Sequence, residues 1–435
     1  MTRRLKYETW ALGTGGPNPA QSATEANAGA SQIMAVPSSS VSQAELVCDS
    51  PQLTAPLENL PPEVRRQVLS ILELEDLGAL VHASPVFHQQ YLLDRRSLLC
   101  KYLETTLRSV TIDAYAVYQS GLTDFSNTRT RERVTQLLEL YQDRRSSTRY
   151  SVLTKRLTED EAVGMVVFLS SIIKPLARHY TGWALSNLAN ETEGSQSHEL
   201  LSSTEETRLM RALYRFQLCC NLFGKGSHEP SRQPRLGFQP VDILKMFIGI
   251  FEPWEVEEIA CIYTFAKEKY DQIFRHIRGM ESLLKGTISR GLELLHTVVF
   301  KIRDHTHLVS TMQQHISWPA GNFLEDDALG EAAQFQRRQE RLSDRDQMQQ
   351  RRDPLPFKGD GDPDADGLRP PLAWTLMWGE TYGNLYGYYV QDVIRRWGYV
   401  MWNAARLERT GAKEVLARQW KADWGDSDPR DNLLQ

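Results

Sequence analysis

From Leu57 to about residue 320, apolar residues recur at helical spacing, and no stretch shows a sustained alternation of period two. This pattern predicts an all-α fold with many helices. Residues 1–55 consist largely of Ala, Ser, Gln, Gly and Pro and contain few large apolar side chains. Such a composition buries too little surface to offset chain entropy, so we expect a disordered N-terminal tail.

Capping residues predict several helix ends. Thr158 with Glu161 and Ser203 with Glu206 have the spacing of a capping box, in which two side chains satisfy two free backbone donors. Prolines that suit a first turn and glycines that suit a C-terminal stop predict four more boundaries: Pro240, Pro253, Gly121 and Gly224. One apolar stripe from Leu98 to Tyr118 predicts a single long helix, and Pro175 is expected to kink or split the helical run 159–188.

The C-terminal part of the chain changes character twice. Residues 326–352 carry many charges of both signs, which predicts an exposed helix or a loose connector. The Pro- and Gly-rich run 353–371 predicts a loop, so we assign 321–371 as a charged connector between a helical domain at 92–320 and a last segment at 372–424. Residues 425–435 are expected to form a short tail.

The last segment, 372–424, is rich in Trp and Tyr. Four aromatic residues repeat every fourth position, which predicts one stripe on a helix: Trp374, Trp378, Tyr382 and Tyr386. Large aromatic side chains usually bury, so we expect this helix to pack on the helical domain. The alternative interpretation is a partner-binding surface, because Trp and Tyr are enriched at binding hot spots.

Residues 57–91 read LENLPPEVRRQVLSILELEDLGALVHASPVFHQQY and predict three short helices. Pro62 suits the first turn of the first helix, Asp76 can cap the second, and Ser84 can start the third. In the first helix one face carries the apolar residues Val64, Val68, Ile71 and Leu72. Three helices this short cannot bury all of their apolar residues among themselves, so some apolar surface remains for a neighbour in this chain or outside it.

In order and spacing, thirteen positions of this run resemble the F-box pattern: Leu60, Pro61, Glu63, Val64, Val68, Leu69, Leu72, Leu77, Leu80, Val81, Ala83, Ser84 and Phe87. With its Trp-rich end, the whole chain looks like the F-box-like proteins common in filamentous fungi. The resemblance covers about 35 of the 435 residues. The F-box pattern itself therefore describes a module at 56–91.

In the F-box family this module docks on the small Skp-type adaptor of cullin–RING ubiquitin ligases, and the region after it captures a protein substrate. The resemblance implies that the adaptor contacts Leu60, Pro61, Val64, Leu69, Leu72, Leu77, Leu80 and Val81. The alternative is a helical protein-interaction module in which the F-box-like segment is structural and meets no ligase. Exposure of Leu60, Pro61, Val64 and Leu69 distinguishes the two.

Other function classes find less support. Lys plus Arg is 50 and Asp plus Glu is 55, a balance that argues against a nucleic-acid partner. The chain contains no apolar run long enough to span a membrane. Five cysteines, an odd number, suit a reducing compartment, either cytoplasm or nucleus. The sequence contains no phosphate-binding Gly-rich loop and no G-x-S-x-G elbow, so we expect a non-enzyme without a cofactor. An enzyme of unknown class is the remote alternative.

Two runs contain residues of the types that bind metal ions. The run from Asp362 to Gly367 copies the first half of a calcium loop, but Ala373 stands where the loop requires a bidentate Glu. His305 and His307 are two residues apart and therefore do not share a helix face. We expect no metal site in either run.

Overall fold

The computed structural model describes residues 56–146, 154, 156–192, 200–224, 238–274, 287–301, 324, 328–360 and 369–431. The regular structure of these residues is helical, apart from one antiparallel bridge between Pro354 and Thr381. The predicted all-α fold is confirmed. The predicted N-terminal tail lies outside the described residues. The chain divides into two compact units, Met1–Leu98 and Leu99–Gln435.

Unit 1 contains three helices after a 3-10 turn at Pro56–Asn59. They are α1 (Pro62–Ile71), α2 (Leu74–Ala83) and the first part of α3 (Pro85–Leu107). The second helix begins earlier than predicted: its N-cap is Glu73, and Asp76 lies inside the first turn. An N-cap at Asp76 would leave Leu74 outside the helix, whereas the structure buries this side chain.

The long helix predicted from Leu98 to Tyr118 is broken in two. Helix α3 ends at Leu107, and a 3-10 turn at Arg108–Val110 precedes α4 (Thr111–Gly121). Arg108 has a positive φ of 48°, and its carbonyl accepts a hydrogen bond of 2.7 Å from the Thr111 hydroxyl. The prediction was wrong because the apolar stripe runs across the break, so periodicity alone carries no sign of it.

Unit 2 contains α4 and the following helices: α5 (Thr123–Asn127), α6 (Arg131–Ser146), α7 (Glu159–Phe168), α8 (Lys174–Thr192), α9 (Ser203–Phe223), α10 (Pro240–Met246), α11 (Pro253–Phe274), α12 (Leu292–His296), α13 (Glu331–Glu340), α14 (Asp344–Arg351), α15 (Leu372–Met377), α16 (Asp392–Arg395), α17 (Ala404–Thr410) and α18 (Ala412–Trp424). Helix α9 packs against α4 and α11. Every residue from Arg208 to Cys220 is buried, so α9 is the central helix of the unit.

Most predicted boundaries of unit 2 are confirmed. The Thr158–Glu161 capping box starts α7, while Gly121 ends α4 and Gly224 caps α9. Helices α10 and α11 begin at the two predicted prolines. The run 159–188 is split by a π-helical turn at Leu169–Ile173, just before Pro175 removes a backbone donor.

The capping box of α9 lies one residue earlier than predicted. It joins Ser202 to Glu205, whose carboxylate accepts from the Ser202 N–H at 2.9 Å. The sequence SSTEE offers two boxes with the same spacing. The structure uses the earlier one because Glu205 is buried and forms an ion pair of 2.7 Å with Arg406, which no local pattern reveals.

Within the charged run, Glu331–Glu340 and Asp344–Arg351 form two helices, α13 and α14, whose residues are mostly exposed or half-buried but include the buried Ala333, Gln334 and Asp346. Of the two predicted alternatives, these residues therefore form the helix and not the loose connector. The prediction of one helix that carries the four-residue aromatic repeat is wrong. Helix α15 ends at Met377, because the chain turns through Gly379 and Glu380, both with positive φ.

Candidate functional site

Helix α1 has apolar side chains on two opposite sides. Leu69 points inward and is 1% exposed. On the other side Val64 is 42% exposed and Ile71 is 76% exposed. Pro61 is exposed and Val68 is half-buried. Together, Pro61, Val64, Val68 and Ile71 form one row along the helix, which we call the outer stripe. A helix that turns such a row to solvent offers a surface for a partner.

Polar contacts fix the rotation of α1. The Arg66 guanidinium binds Asp94 of α3 at 2.8 Å, and this hydrogen-bonded pair lowers the pKa of Asp94. Arg65 donates a hydrogen bond of 3.0 Å to the carbonyl of Glu58, whose carboxylate accepts from the Ser84 hydroxyl. These contacts hold α1 through two consecutive side chains that point to different neighbours. The outer stripe is therefore held outward by side chains on the neighbouring faces of the helix.

The eight residues predicted to contact an adaptor fall into three groups. Pro61 and Val64 are exposed. Three are half-buried: Leu60, Leu72 and Leu80. The remaining three are buried: Leu69, Leu77 and Val81. Sequence reasoning left Ile71 out of the contact set, although the helical period had already placed it on the same face as Val64. That period was the available signal.

The four aromatic residues of the last segment do not form an open surface. Trp374, Trp378 and Tyr386 are buried, and Tyr382 is half-buried. Trp378 contacts Trp420 of α18 with ring centroids 5.2 Å apart. Of the predicted partner-binding set, the structure therefore brings three side chains into the interior of unit 2.

Unit 2 has a second feature that the sequence did not predict, a set of buried ion pairs around α9 and α11. Glu255 binds Arg211 at 3.2 Å, Arg215 at 3.0 Å and Arg145 at 3.2 Å. Burial alone would raise the pKa of Glu255, but these three guanidinium groups together lower it below its usual range. The carboxylate is therefore a fixed counter-ion for three arginines and not a proton donor or acceptor near neutral pH.

Further buried pairs tie later parts of the chain to the same helices. They are Arg208–Asp360 at 2.8 Å, Arg395–Glu257 at 2.9 Å and Arg406–Glu205 at 2.7 Å. Each arginine lies on one helix or loop and each acid on another, so the pairs fasten the C-terminal third of unit 2 to α9 and α11. We therefore assign these ion pairs a structural role in the packing of unit 2.

A further ion pair, between Asp346 and Arg337, has a testable dependence on pH. Asp346 accepts two hydrogen bonds of 2.8 Å from Arg337 and one of 2.9 Å from the Ser343 N–H. Burial would raise the pKa of Asp346, but Arg337 and Ser343 lower it to about 2. A carboxyl whose pKa is lower in the folded than in the unfolded state stabilises the fold above the unfolded pKa. That stabilisation is lost as the pH falls toward the folded pKa.

We expect the Asp346→Asn variant to lose less stability than the native chain on acidification. The native carboxylate contributes about 2 kcal/mol at neutral pH, and this contribution fades between about pH 5 and pH 2. Urea unfolding at a series of pH values measures the difference. Asp344→Asn, an exposed change in the same helical turn, is the matched control. If the free energy of unfolding falls equally with pH for the native chain and for Asp346→Asn, the lowered pKa of Asp346 is contradicted.

Metal, thiol and membrane features add no further site in the part of the chain that the structure describes. In the described ranges no group of three or more His, Cys, Asp or Glu side chains is placed to hold a metal ion. The Asp362–Asp366 run, His305 and His307 lie outside those ranges. Every helix in the described parts of the chain is too short or too polar to span a bilayer. Cys219, Cys220 and Cys261 are buried and form no disulfide.

Comparison with known proteins gives no relative: no protein family, curated protein or solved structure matches the chain. Among the described residues, the outer stripe of α1 is the strongest candidate functional surface, because it is an exposed apolar row in helical register.

Proposed function

We propose that residues 57–91 dock a Skp-type adaptor and that unit 2 binds a protein substrate, so that the chain acts as a substrate receptor of a cullin–RING ubiquitin ligase. Such a receptor performs no chemistry itself and works by raising the effective concentration of substrate at the ligase. The proposed compartment is the cytoplasm or nucleus, where cysteines stay reduced.

The observation that carries the proposal is the outer stripe of α1. Single exposed apolar residues are common on soluble proteins and need no partner. A row in helical register is different, because an amphipathic helix recognises a groove through anchors spaced by three, four and seven residues. Val64 and Ile71 are seven residues apart, and the half-buried Val68 lies between them.

The burial pattern refines the proposed contact set. Leu69, Leu77 and Val81 are buried, so we assign them to the internal packing of the module. Pro61 and Val64 stay in the docking surface, with the half-buried Leu60 at its edge, and Ile71 is added to it.

The second candidate, a helical interaction module without a ligase, is favoured by one observation. The buried residues Leu69, Leu77 and Val81 account for part of the F-box-like pattern through packing alone. A helical module of any function would need such residues. The two candidates therefore differ in what they require of the exposed residues, which the following experiment tests.

We expect the double variant Val64→Ser, Ile71→Ser to bind a purified Skp-type adaptor at least about tenfold more weakly than the native chain, which corresponds to about 1.4 kcal/mol. Isothermal titration calorimetry on the full chain measures the dissociation constants. The matched control is Leu93→Ser, which removes an equally exposed apolar side chain on α3 of the same unit. Adaptor binding that is absent, or that ignores the double variant, favours the ligase-independent module.

A further inference from the structure

The sequence before Pro56 contains one stretch suited to an apolar surface. From Ala26 to Ala44 no residue is charged, and the middle of this stretch reads Ile33-Met34-Ala35-Val36. Three large apolar side chains within four residues stand out against neighbours that are mainly Ala, Ser, Gln and Gly. A short uncharged apolar segment of this kind is a typical anchor for an exposed apolar row on a helix.

We propose that the segment Ile33–Val36 binds the outer stripe of α1 in the same chain and thereby competes with the adaptor. The proposal rests on the proposed function in one respect, namely that the covered stripe is also the adaptor surface. The covalent connection argues for this occupant, because the described chain starts at Pro56 and the stripe begins at Pro61. Any segment just before Pro56 is therefore held close to the stripe.

Chain length allows the contact. From Pro37 to Ala55 a Ser-rich chain has an expected end-to-end distance of about 25 Å. The stripe from Pro61 to Ile71 is about 15 Å long at 1.5 Å per residue. A tether of this length gives an effective concentration of about 1 mM. A segment with an intrinsic dissociation constant of about 0.1 mM would then cover the stripe about 90% of the time.

Desolvation favours Ile33–Val36 over the other apolar pair near the module, Leu46 and Val47. That pair is flanked by Glu45 and Asp49, so seating it on an apolar row would bring two carboxylates partly out of water, which is unfavourable. The uncharged segment meets no such cost.

Thiol labelling of the full chain tests the contact without any adaptor. Gln67 is exposed and lies between Val64 and Ile71, so Gln67→Cys reports cover over the stripe while both apolar residues stay in place. Cys48→Ser removes the thiol of the N-terminal region. In this background we compare the native segment with one triple variant, Ile33→Ser, Met34→Ser, Val36→Ser. Peptide mass spectrometry measures the rate at which a maleimide labels position 67.

We expect the triple variant to be labelled about tenfold faster, as the loss of a 90% covered state requires. The matched control, Val41→Ser, Leu46→Ser, Val47→Ser, makes three similar changes in the same region and should label at the native rate. Equal rates for the native segment and the Ile33 triple variant would overturn the proposal. A control that accelerates labelling as much as the Ile33 triple variant would overturn it too, because the occupant would then not be Ile33–Val36.

Adaptor titration separates this proposal from the proposed function. If both hold, the Ile33 triple variant binds the adaptor about tenfold more tightly than the native chain. If no variant binds an adaptor, the proposed function fails, while the labelling rates still decide whether the segment covers α1. Faster labelling without tighter adaptor binding overturns the competition and leaves only the contact.

Discussion

Replacing Arg395 by Met should lower the free energy of unfolding of unit 2 by about 3–5 kcal/mol, one of the two largest effects that we expect from a single substitution. Arg395 holds Glu257 with two hydrogen bonds of 2.9 and 3.0 Å, and both side chains are buried. Removal of the guanidinium leaves the Glu257 carboxylate inside unit 2 without this counter-ion, although the Gly387 N–H still donates a hydrogen bond to it at 2.6 Å. A buried charge without its counter-ion costs far more than the loss of a contact on the surface.

The neighbouring residue supplies the control. Arg396 also pairs with an acid, Glu268 at 3.1 Å, but half of its side chain is exposed. Ion pairs in solvent are screened and contribute little, so Arg396→Met should cost under about 1 kcal/mol. Urea unfolding of both variants, followed by far-UV circular dichroism, measures the two costs side by side. Equal costs for the two variants would show that the Arg395 pair is not a fastening point.

We expect Trp374→Ala to cost about 3–5 kcal/mol, because it removes a large side chain that is fully buried beside Trp378 at a ring distance of 5.5 Å. The cavity left behind cannot be filled without moving α15. Tyr388→Ala is the matched control in the same segment. Tyr388 is 61% exposed and its ring contacts Tyr389, so its loss should cost under about 1 kcal/mol.

The measurement is again the unfolding midpoint, now followed by Trp fluorescence. If Trp374 is part of the core, the variant unfolds at lower denaturant and any loss of partner binding follows from the loss of structure. A Trp374→Ala variant with native stability and reduced partner binding would contradict this assignment and restore the aromatic segment as a recognition surface.

The sequence predicted helices well where the determining contacts are local. The Thr158–Glu161 box is such a case, since cap and partner are three residues apart and no rival pair stands beside them. The prediction of a helix end was wrong where a residue far away in the sequence determines which capping residues are used. The box at Ser202 depends on Arg406, about two hundred positions further along the chain. The predicted aromatic helix ends at Met377 because two successive residues adopt positive φ, which an aromatic repeat does not encode.

The candidate site was predicted only in part, because its local pattern is visible in the sequence and its distant contacts are not. Helical periodicity identified the row of Val64, Val68 and Ile71 on α1, but a row of apolar residues does not say which way it faces. The direction is set by Leu69, which is buried on the opposite side of the helix, and by the ion pair between Arg66 and Asp94. The buried ion pairs could not be predicted at all. Arginines at 208, 211 and 215 have the spacing of a solvated stripe, and their acids lie on other elements of the fold.

The pairing of Arg208 with Asp360 has a consequence for the order in which the protein can be made. Arg208 lies on the central helix α9, and its partner follows 152 positions later, since 360 minus 208 is 152. At a synthesis rate of about 5–20 residues per second, the ribosome delivers that carboxylate about 8–30 seconds after the arginine. During this interval α9 cannot bury Arg208 without a large penalty. A chain stalled before Asp360 should therefore leave the Arg208 guanidinium in solvent.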